Sequence, residues 1–145
     1  MTRSAFRHAL ALALSLALAP AFADKAHHVA AWSKSEAERY IGTRVRAQKN
    51  LLSWGPVLLR NGSDDGVQPK PVGRDVVTGT EGRIIAVGRE GSGHYSVIVE
   101  WGSPIVDPTY QKPAVWRSWI DRSNYTSAVI EISRPERPAV KPGHH

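Results

Sequence analysis

The stretch from Gly79 to Ile132 most strongly constrains what this chain can fold into. It consists of short apolar or alternating runs that are separated by turns rich in glycine and proline. This pattern is typical of antiparallel strands joined by tight connections. A length of 145 residues leaves room for one ordinary domain. We therefore expect a small, mainly β domain that is organised around this stretch.

The first 23 residues have the organisation of a secretory signal peptide. Arg3 and Arg7 make the start basic, an apolar run covers residues 9–19, and the segment closes on an A-x-A cleavage site. The apolar run is too short for a stable membrane anchor. We predict cleavage after Ala23 and a periplasmic or secreted location, with a retained anchor or a buried helix as the alternative.

Export without disulfides limits how the domain can be stabilised. The chain has no cysteine but five tryptophans, so apolar burial must supply the core. Loss of Arg3 and Arg7 with the signal leaves 17 Lys and Arg against 13 Asp and Glu, which is a net charge of +4. This charge is spread evenly and only weakly favours an anionic partner. Nucleic acid is disfavoured as a partner because it is scarce outside the cytoplasm.

Residues 24–42 are expected to form an N-terminal arm with one short helix. Ser33 followed by Glu36 fits a capping box, and Gly42 is a natural stop. We therefore predict a helix over Lys34–Ile41. Its apolar residues share one face that can dock on the domain, and they are Ala37, Tyr40 and Ile41.

The remaining chain is expected to form the domain, over residues 43–133, and a solvated Pro-rich tail, over residues 134–145. The predicted strands are Thr43–Ala47, Leu51–Leu59 with a kink at Pro56, Arg83–Val87, His94–Trp101, Val115–Ile120 and Ser127–Ile132. The predicted connections are a long loop over Asn61–Asp75, a turn over Gly88–Gly93, a loop over Gly102–Pro113 and a tight turn or one 3₁₀ turn over Asp121–Tyr125.

This order of elements resembles the SH3-like small β-barrels over Thr43–Ile132. The residues that carry the resemblance are Arg44–Ala47, the long loop, the hairpin of Gly79–Val87 with Tyr95–Trp101, then Val115–Ile120, the turn at Ser123–Tyr125 and Ala128–Ile132. The resemblance implies a small five-stranded barrel, to which the residues themselves add a short N-terminal helix and disordered ends. It concerns layout alone and implies no ligand, because one fold serves many functions.

An aromatic and basic cluster around the fourth predicted strand is the candidate ligand-binding surface. Trp116 and Trp119 have opposite parity in a strand, so one of them should face solvent. An exposed indole beside arginines can stack on a peptide, a sugar ring or a proline. The candidate residues are Tyr110, Trp116, Arg117, Trp119, Arg122 and Tyr125. The alternative is that these aromatics only fill the core, where we also expect Tyr95 and Trp101.

Neither catalysis nor metal binding is indicated by the residues. A nucleophile needs an activating base, and His94 is the one histidine inside the predicted domain. The run Asp64-Asp65-Gly66 lacks the later acidic positions of a calcium loop. The histidine pairs at residues 27–28 and 144–145 lie in the predicted flexible ends. We predict no catalytic residue, no metal and no cofactor.

The preferred hypothesis is an exported, non-enzymatic binding module whose partner is an envelope protein or a peptidoglycan-type polymer. The alternative is an accessory or inhibitory subunit that docks on an exported enzyme through the loop at residues 61–75. A third hypothesis is an enzyme that uses carboxylates such as Glu100 and Asp121. The motif Pro135-x-x-Pro138 could also fold back onto the aromatic surface as an internal ligand.

Overall fold

The computed structural model describes residues 29–137. The predicted signal peptide, both histidine pairs, Pro138 and the rest of the predicted tail beyond it lie outside these residues. Within them, the chain forms eight strands and two short helices. In chain order these are α1 Lys34–Glu38, β1 Arg44–Ala47, β2 Leu51–Arg60, β3 Ser63–Asp64, β4 Val72–Val76, β5 Glu81–Arg89, β6 Tyr95–Asp107, β7 Lys112–Ile120, α2 Arg122–Ala128 and β8 Val129–Ser133.

The eight strands form a single antiparallel sheet. Its order is β3-β2-β7-β6-β5-β1-β8, and β4 pairs with the first half of β2. The prediction of a mainly β domain is therefore confirmed. The prediction of a five-stranded closed barrel is wrong, because the sheet is open and has eight strands.

The difference comes from the segment that follows β1. Strand β2 pairs with β7 and so extends the sheet at the edge opposite to β8. The five strands that the resemblance requires correspond to β1, β5, β6, β7 and β8. They are neighbours in the order β7-β6-β5-β1-β8, and the three additional strands lie within residues 51–76.

Both predicted long loops contain strands. Strands β3 and β4 lie in the loop predicted at residues 61–75, where they pair with β2. The loop predicted at residues 102–113 is the outer part of the β6–β7 hairpin, beyond a register shift between Trp101 and Ile105. The kink predicted at Pro56 corresponds to a register shift between Trp54 and Val57 within the continuous strand β2.

The two helices differ in how well the sequence predicts them. Ser33 and Glu36 form the predicted capping box, but α1 ends at Glu38 rather than Ile41, which is exposed. The tight turn or single 3₁₀ turn predicted at residues 121–125 is instead the cap and first turn of a seven-residue α-helix. Asp121 caps this helix by accepting a hydrogen bond from the Asn124 amide. As a result, the last strand begins at Val129.

The core lies on one face of the sheet, under the two helices. Strand β1 buries Val45 and Ala47 while its arginines face out, and β6 buries Val97, Val99 and Trp101, as their alternation predicts. Three aromatic rings with centroids 5.0–5.3 Å apart extend this core towards the helices, and they belong to Trp32, Tyr40 and Tyr125. On the opposite face of the sheet, Leu52, Trp54 and Trp119 are exposed.

Candidate functional site

Two tryptophans lie half-exposed on the outer face of neighbouring strands. Trp54 of β2 is 49% exposed and Trp119 of β7 is 50% exposed. Trp54 is paired with Arg117, and Trp119 follows two residues later, so all three side chains share one face. Trp119 is paired with Ile98 of β6 on that same face. Trp54 and Trp119 are called the tryptophan pair below.

A glycine on β5, two strands away, makes room for the Trp119 indole, and a glycine on β4 lies in contact range of the Trp54 indole. A β-carbon added at Gly88 would lie 2.3 Å from Cη2 and Cζ3 of Trp119, so the ring occupies the space above that glycine. A β-carbon at Gly73 would lie 3.6 Å from Cζ3 of Trp54. The rings are thus supported by the sheet on one side and open to solvent on the other. Such fixed, amphipathic aromatic area binds partners at a small entropic cost.

Two clefts share the tryptophan pair. The first has a volume of about 550 Å³ and also contains Leu52, Asp121 and Asn124 in its wall. The second has a volume of about 270 Å³, and its wall includes Ile98 and Pro69. An extended segment that crosses the tryptophan pair can therefore place side chains in a cleft on either side.

Arg117 links this face to two acidic side chains. Its guanidinium donates hydrogen bonds to Asp64 at 2.8 and 3.1 Å and to Glu100 at 3.1 and 3.2 Å. Burial lowers the pKa of Arg117, but its interactions with Asp64 and Glu100 outweigh that effect and raise the pKa above its usual value. The positive charge of Arg117 at the edge of the tryptophan pair is therefore held in place by two carboxylates.

The segment after β2 is anchored beside the tryptophan pair. The Gln68 amide accepts from the Leu58 backbone N–H at 2.7 Å and donates to the Leu58 carbonyl at 3.0 Å, in the manner of a strand partner. Asp65 forms ion pairs with Lys112 and Arg60. The hydrogen bond from Lys112 is the main cause of a lowered Asp65 pKa. The predicted long loop is thus an ordered wall of the second cleft.

The six candidate residues from the sequence lie in different places. Only Arg117 and Trp119 belong to the outer face. Trp116 points to the opposite face, where the Arg74 guanidinium lies 5.3 Å from its ring centroid. Tyr110 is exposed in the β6–β7 turn, and Arg122 donates to the Ala30 carbonyl at 3.0 Å. The ligand-binding role of these residues stays a prediction.

Tyr125 is placed in the core rather than on a surface. It is 6% exposed, and its hydroxyl donates to Glu131 at 2.8 Å. Burial and, second, the Glu131 carboxylate raise the pKa of Tyr125 well above its usual value. Its contribution is therefore to the packing of α2 against β8.

Sequence reasoning missed Trp54. The run Leu51–Leu59 reads as apolar throughout, which hides the alternation of its first half. The structure buries Ser53 and leaves Leu52 and Trp54 exposed. The signal that could have found Trp54 is therefore the alternation of these three residues, with the small serine at the inward position.

Between residues 29 and 137, no three His, Cys, Asp or Glu side chains are grouped so that they could hold a metal ion. Neither helix of that range is long and apolar enough to cross a membrane. Comparison with protein-family models, with curated proteins and with solved structures gives no match for this chain. A functional assignment therefore depends on the geometry of the chain itself.

Proposed function

We propose that this chain is an exported, non-enzymatic binding module that holds an extended segment of an envelope protein against the tryptophan pair. The observation that carries this proposal is the placement of two half-exposed indoles between two clefts. Tryptophan and arginine dominate the binding energy of protein interfaces, and exposed apolar clusters mark such interfaces.

The chemistry around the tryptophan pair favours a protein segment over a wall polymer. Leu52 and Ile98 add aliphatic surface to the two clefts. Of the basic groups beside them, Arg117 is already neutralised by Asp64 and Glu100, and Lys49 of the first cleft donates to Ser127 Oγ. Aliphatic side chains fit the apolar side chains of a protein better than the hydroxyl groups of a polysaccharide.

We also propose that residues 43–133 are an opened variant of the SH3-like small barrels. Two features support this proposal. The strands β8-β1-β5-β6-β7 are neighbours in the sheet, and helix α2 precedes the last strand directly. The insertion of β2, β3 and β4 after β1 supplies one tryptophan of the pair and the wall of the second cleft.

Photo-crosslinking in cells tests this function. A crosslinking amino acid replaces Leu52, which is exposed in the first cleft, or Val106, which is exposed in the β6–β7 hairpin. We expect a protein adduct from position 52 only, and its loss in the Trp119→Ala variant. Trp119→Ala removes about half of the roughly 200 Å² that an indole buries, or about 2–3 kcal/mol, which a typical domain survives. Circular dichroism checks that it is folded.

Wall polymer is the competing ligand in the same experiment. Purified insoluble wall material is sedimented with the wild-type protein and with the Trp119→Ala variant. If the wild-type protein sediments, the Trp119→Ala variant does not, and no protein adduct forms, then the ligand is a glycan rather than a protein segment. Equal amounts of adduct from positions 52 and 106 would contradict binding by the tryptophan pair. The absence of both adducts and sedimentation would contradict it as well.

A second candidate function is an accessory subunit that docks through residues 61–75. It is favoured by Val67, which is 79% exposed near the anchored Gln68. Deletion of this segment would remove β4 from the sheet, so a point variant is the better test. Val67→Asp should then abolish adducts from position 52 while leaving the fold intact. Unchanged adducts in Val67→Asp would remove this candidate.

A further inference from the structure

Four guanidinium groups from three separate segments meet beside helix α1. Arg39 lies just after that helix, Arg122 begins α2, and two more arginines follow β8, namely Arg134 and Arg137. Together with Glu36 and two aromatic rings they line a cavity of about 220 Å³. This cavity lies apart from the tryptophan pair, and none of its lining residues contributes to the two clefts there.

Two of the four arginines are held by the protein itself. Arg134 binds both oxygens of Glu131 at 2.6 Å, and its guanidinium carbon lies 4.5 Å from the Tyr40 ring centroid. Arg122 donates to the Ala30 carbonyl at 3.0 Å. Their positions are therefore fixed before any ligand arrives, which lowers the entropic cost of binding.

The other two arginines have no partner in the part of the chain that the structure describes. Within residues 29–137, the side chains of Arg39 and Arg137 have neither a hydrogen-bond acceptor nor a carboxylate within salt-bridge distance. Among the described residues, two carboxylates lie at the cavity, Glu36 in its wall and Glu131 on Arg134. The cavity therefore has an excess of two positive charges, and like charges held together attract a counter-ion.

We propose that this arginine cavity binds a phosphate group, as a free phosphate or diphosphate or as a lipid headgroup. A planar guanidinium matches phosphate oxygens with two parallel hydrogen bonds. A phosphate monoester carries about two negative charges at neutral pH, which matches the excess. The cavity has the volume of about seven water molecules at roughly 30 Å³ each, so one or two phosphate groups fit.

Isothermal titration with inorganic phosphate and pyrophosphate tests this site in protein purified from the full-length gene. The variant replaces the two free arginines, as Arg39→Gln with Arg137→Gln. A matched control removes the same charge from exposed arginines of β5, as Arg83→Gln with Arg89→Gln. We expect saturable binding that the first variant weakens at least tenfold and the control less than twofold.

Vesicles separate the two sources of the phosphate. Phosphatidylcholine vesicles with and without phosphatidic acid are sedimented with the same three proteins. Binding to phosphatidic acid alone, lost in the Arg39/Arg137 variant, assigns the site to a lipid headgroup, and binding of the soluble anions assigns it to a free phosphate. Equal weakening by both variants, or no saturable binding in any arm, overturns the proposal.

Discussion

Ser118 is the centre of a buried hydrogen-bond network that connects three strands. Trp101 Nε1 of β6 donates to Ser118 Oγ of β7 at 2.8 Å, and this Oγ donates to the Leu52 carbonyl of β2 at 2.7 Å. Ser118 is 2% exposed and Trp101 is 6% exposed. One hydroxyl group therefore satisfies the buried indole N–H of Trp101 and the partly buried carbonyl of Leu52.

Replacing Ser118 by alanine should be strongly destabilising. The indole N–H would lose its acceptor inside the protein, at about 1–3 kcal/mol. The lost bond to the Leu52 carbonyl adds about 0.5–1.5 kcal/mol. We expect the free energy of unfolding to fall by about 2–4 kcal/mol and the Tm by roughly 8–20 °C.

Urea unfolding followed by tryptophan fluorescence measures this loss. Ser103→Ala is the control, because Ser103 is an exposed serine of the same β6 strand and should change stability by less than about 0.5 kcal/mol. A double variant with Trp101→Phe should lose less than the sum of the single variants, because both remove one hydrogen bond. A loss below about 1 kcal/mol for Ser118→Ala, or strict additivity, would refute the network.

Three further predictions concern packing and charge. Gly82→Ala puts a β-carbon 2.7 Å from the Glu100 carbonyl oxygen and should cost about 1–3 kcal/mol in urea unfolding, whereas Gly88→Ala should mainly displace the Trp119 indole and shift its fluorescence to the red. A larger loss of stability in Gly88→Ala than in Gly82→Ala would contradict the described packing. Tyr125→Phe loses its hydrogen bond to a carboxylate, so we expect a loss of about 1–3 kcal/mol, and an unchanged Tm would contradict that bond. A hydrogen bond from Arg46, joined by one from Arg44, lowers the pKa of Glu81, so its stabilisation is complete above about pH 4.3 and is lost as pH falls further. Glu81→Gln should reduce this loss of stability at low pH. An unchanged pH dependence of the unfolding free energy would exclude Glu81 as a cause of that loss.

The elements that depend on local chemistry could be predicted from the sequence. The Ser33–Glu36 capping box fixes the start of α1, and the hairpin of β5 and β6 follows from alternation around a glycine-rich turn. These features need only neighbouring residues. Residues Val97, Val99 and Trp101 are buried as the period of two requires.

The elements that depend on pairing between distant parts of the chain could not be predicted from the sequence. Pro104 and Pro113 indicate a loop, yet both lie in the extended hairpin of β6 and β7. Strand β5 begins at Glu81, and its pairing with β6 reaches only as far as Trp101. Beyond Trp101, β6 therefore has an edge without a β5 partner, where the missing N–H of Pro104 is tolerated. Which strand ends first is a tertiary fact that local sequence does not contain.

The candidate site shows the same limit. Parity correctly predicts that Trp116 and Trp119 lie on opposite faces, and Trp119 is the exposed one. The second tryptophan of the pair, Trp54, is more than sixty residues away and is brought alongside by the pairing of β2 with β7. Only the sheet order reveals that these two side chains form one surface.

Oxidative footprinting of the five tryptophans tests most directly whether the tryptophan pair is the binding surface. Hydroxyl radicals are applied to the purified protein and to cells that produce it, and mass spectrometry reports each indole. We expect Trp54 and Trp119 to be oxidised fastest in the purified protein and to be protected several-fold in cells, with Trp101 slow in both. Equal oxidation of Trp54 and Trp119 in the two samples, or Trp101 reacting as fast as either, would contradict the account.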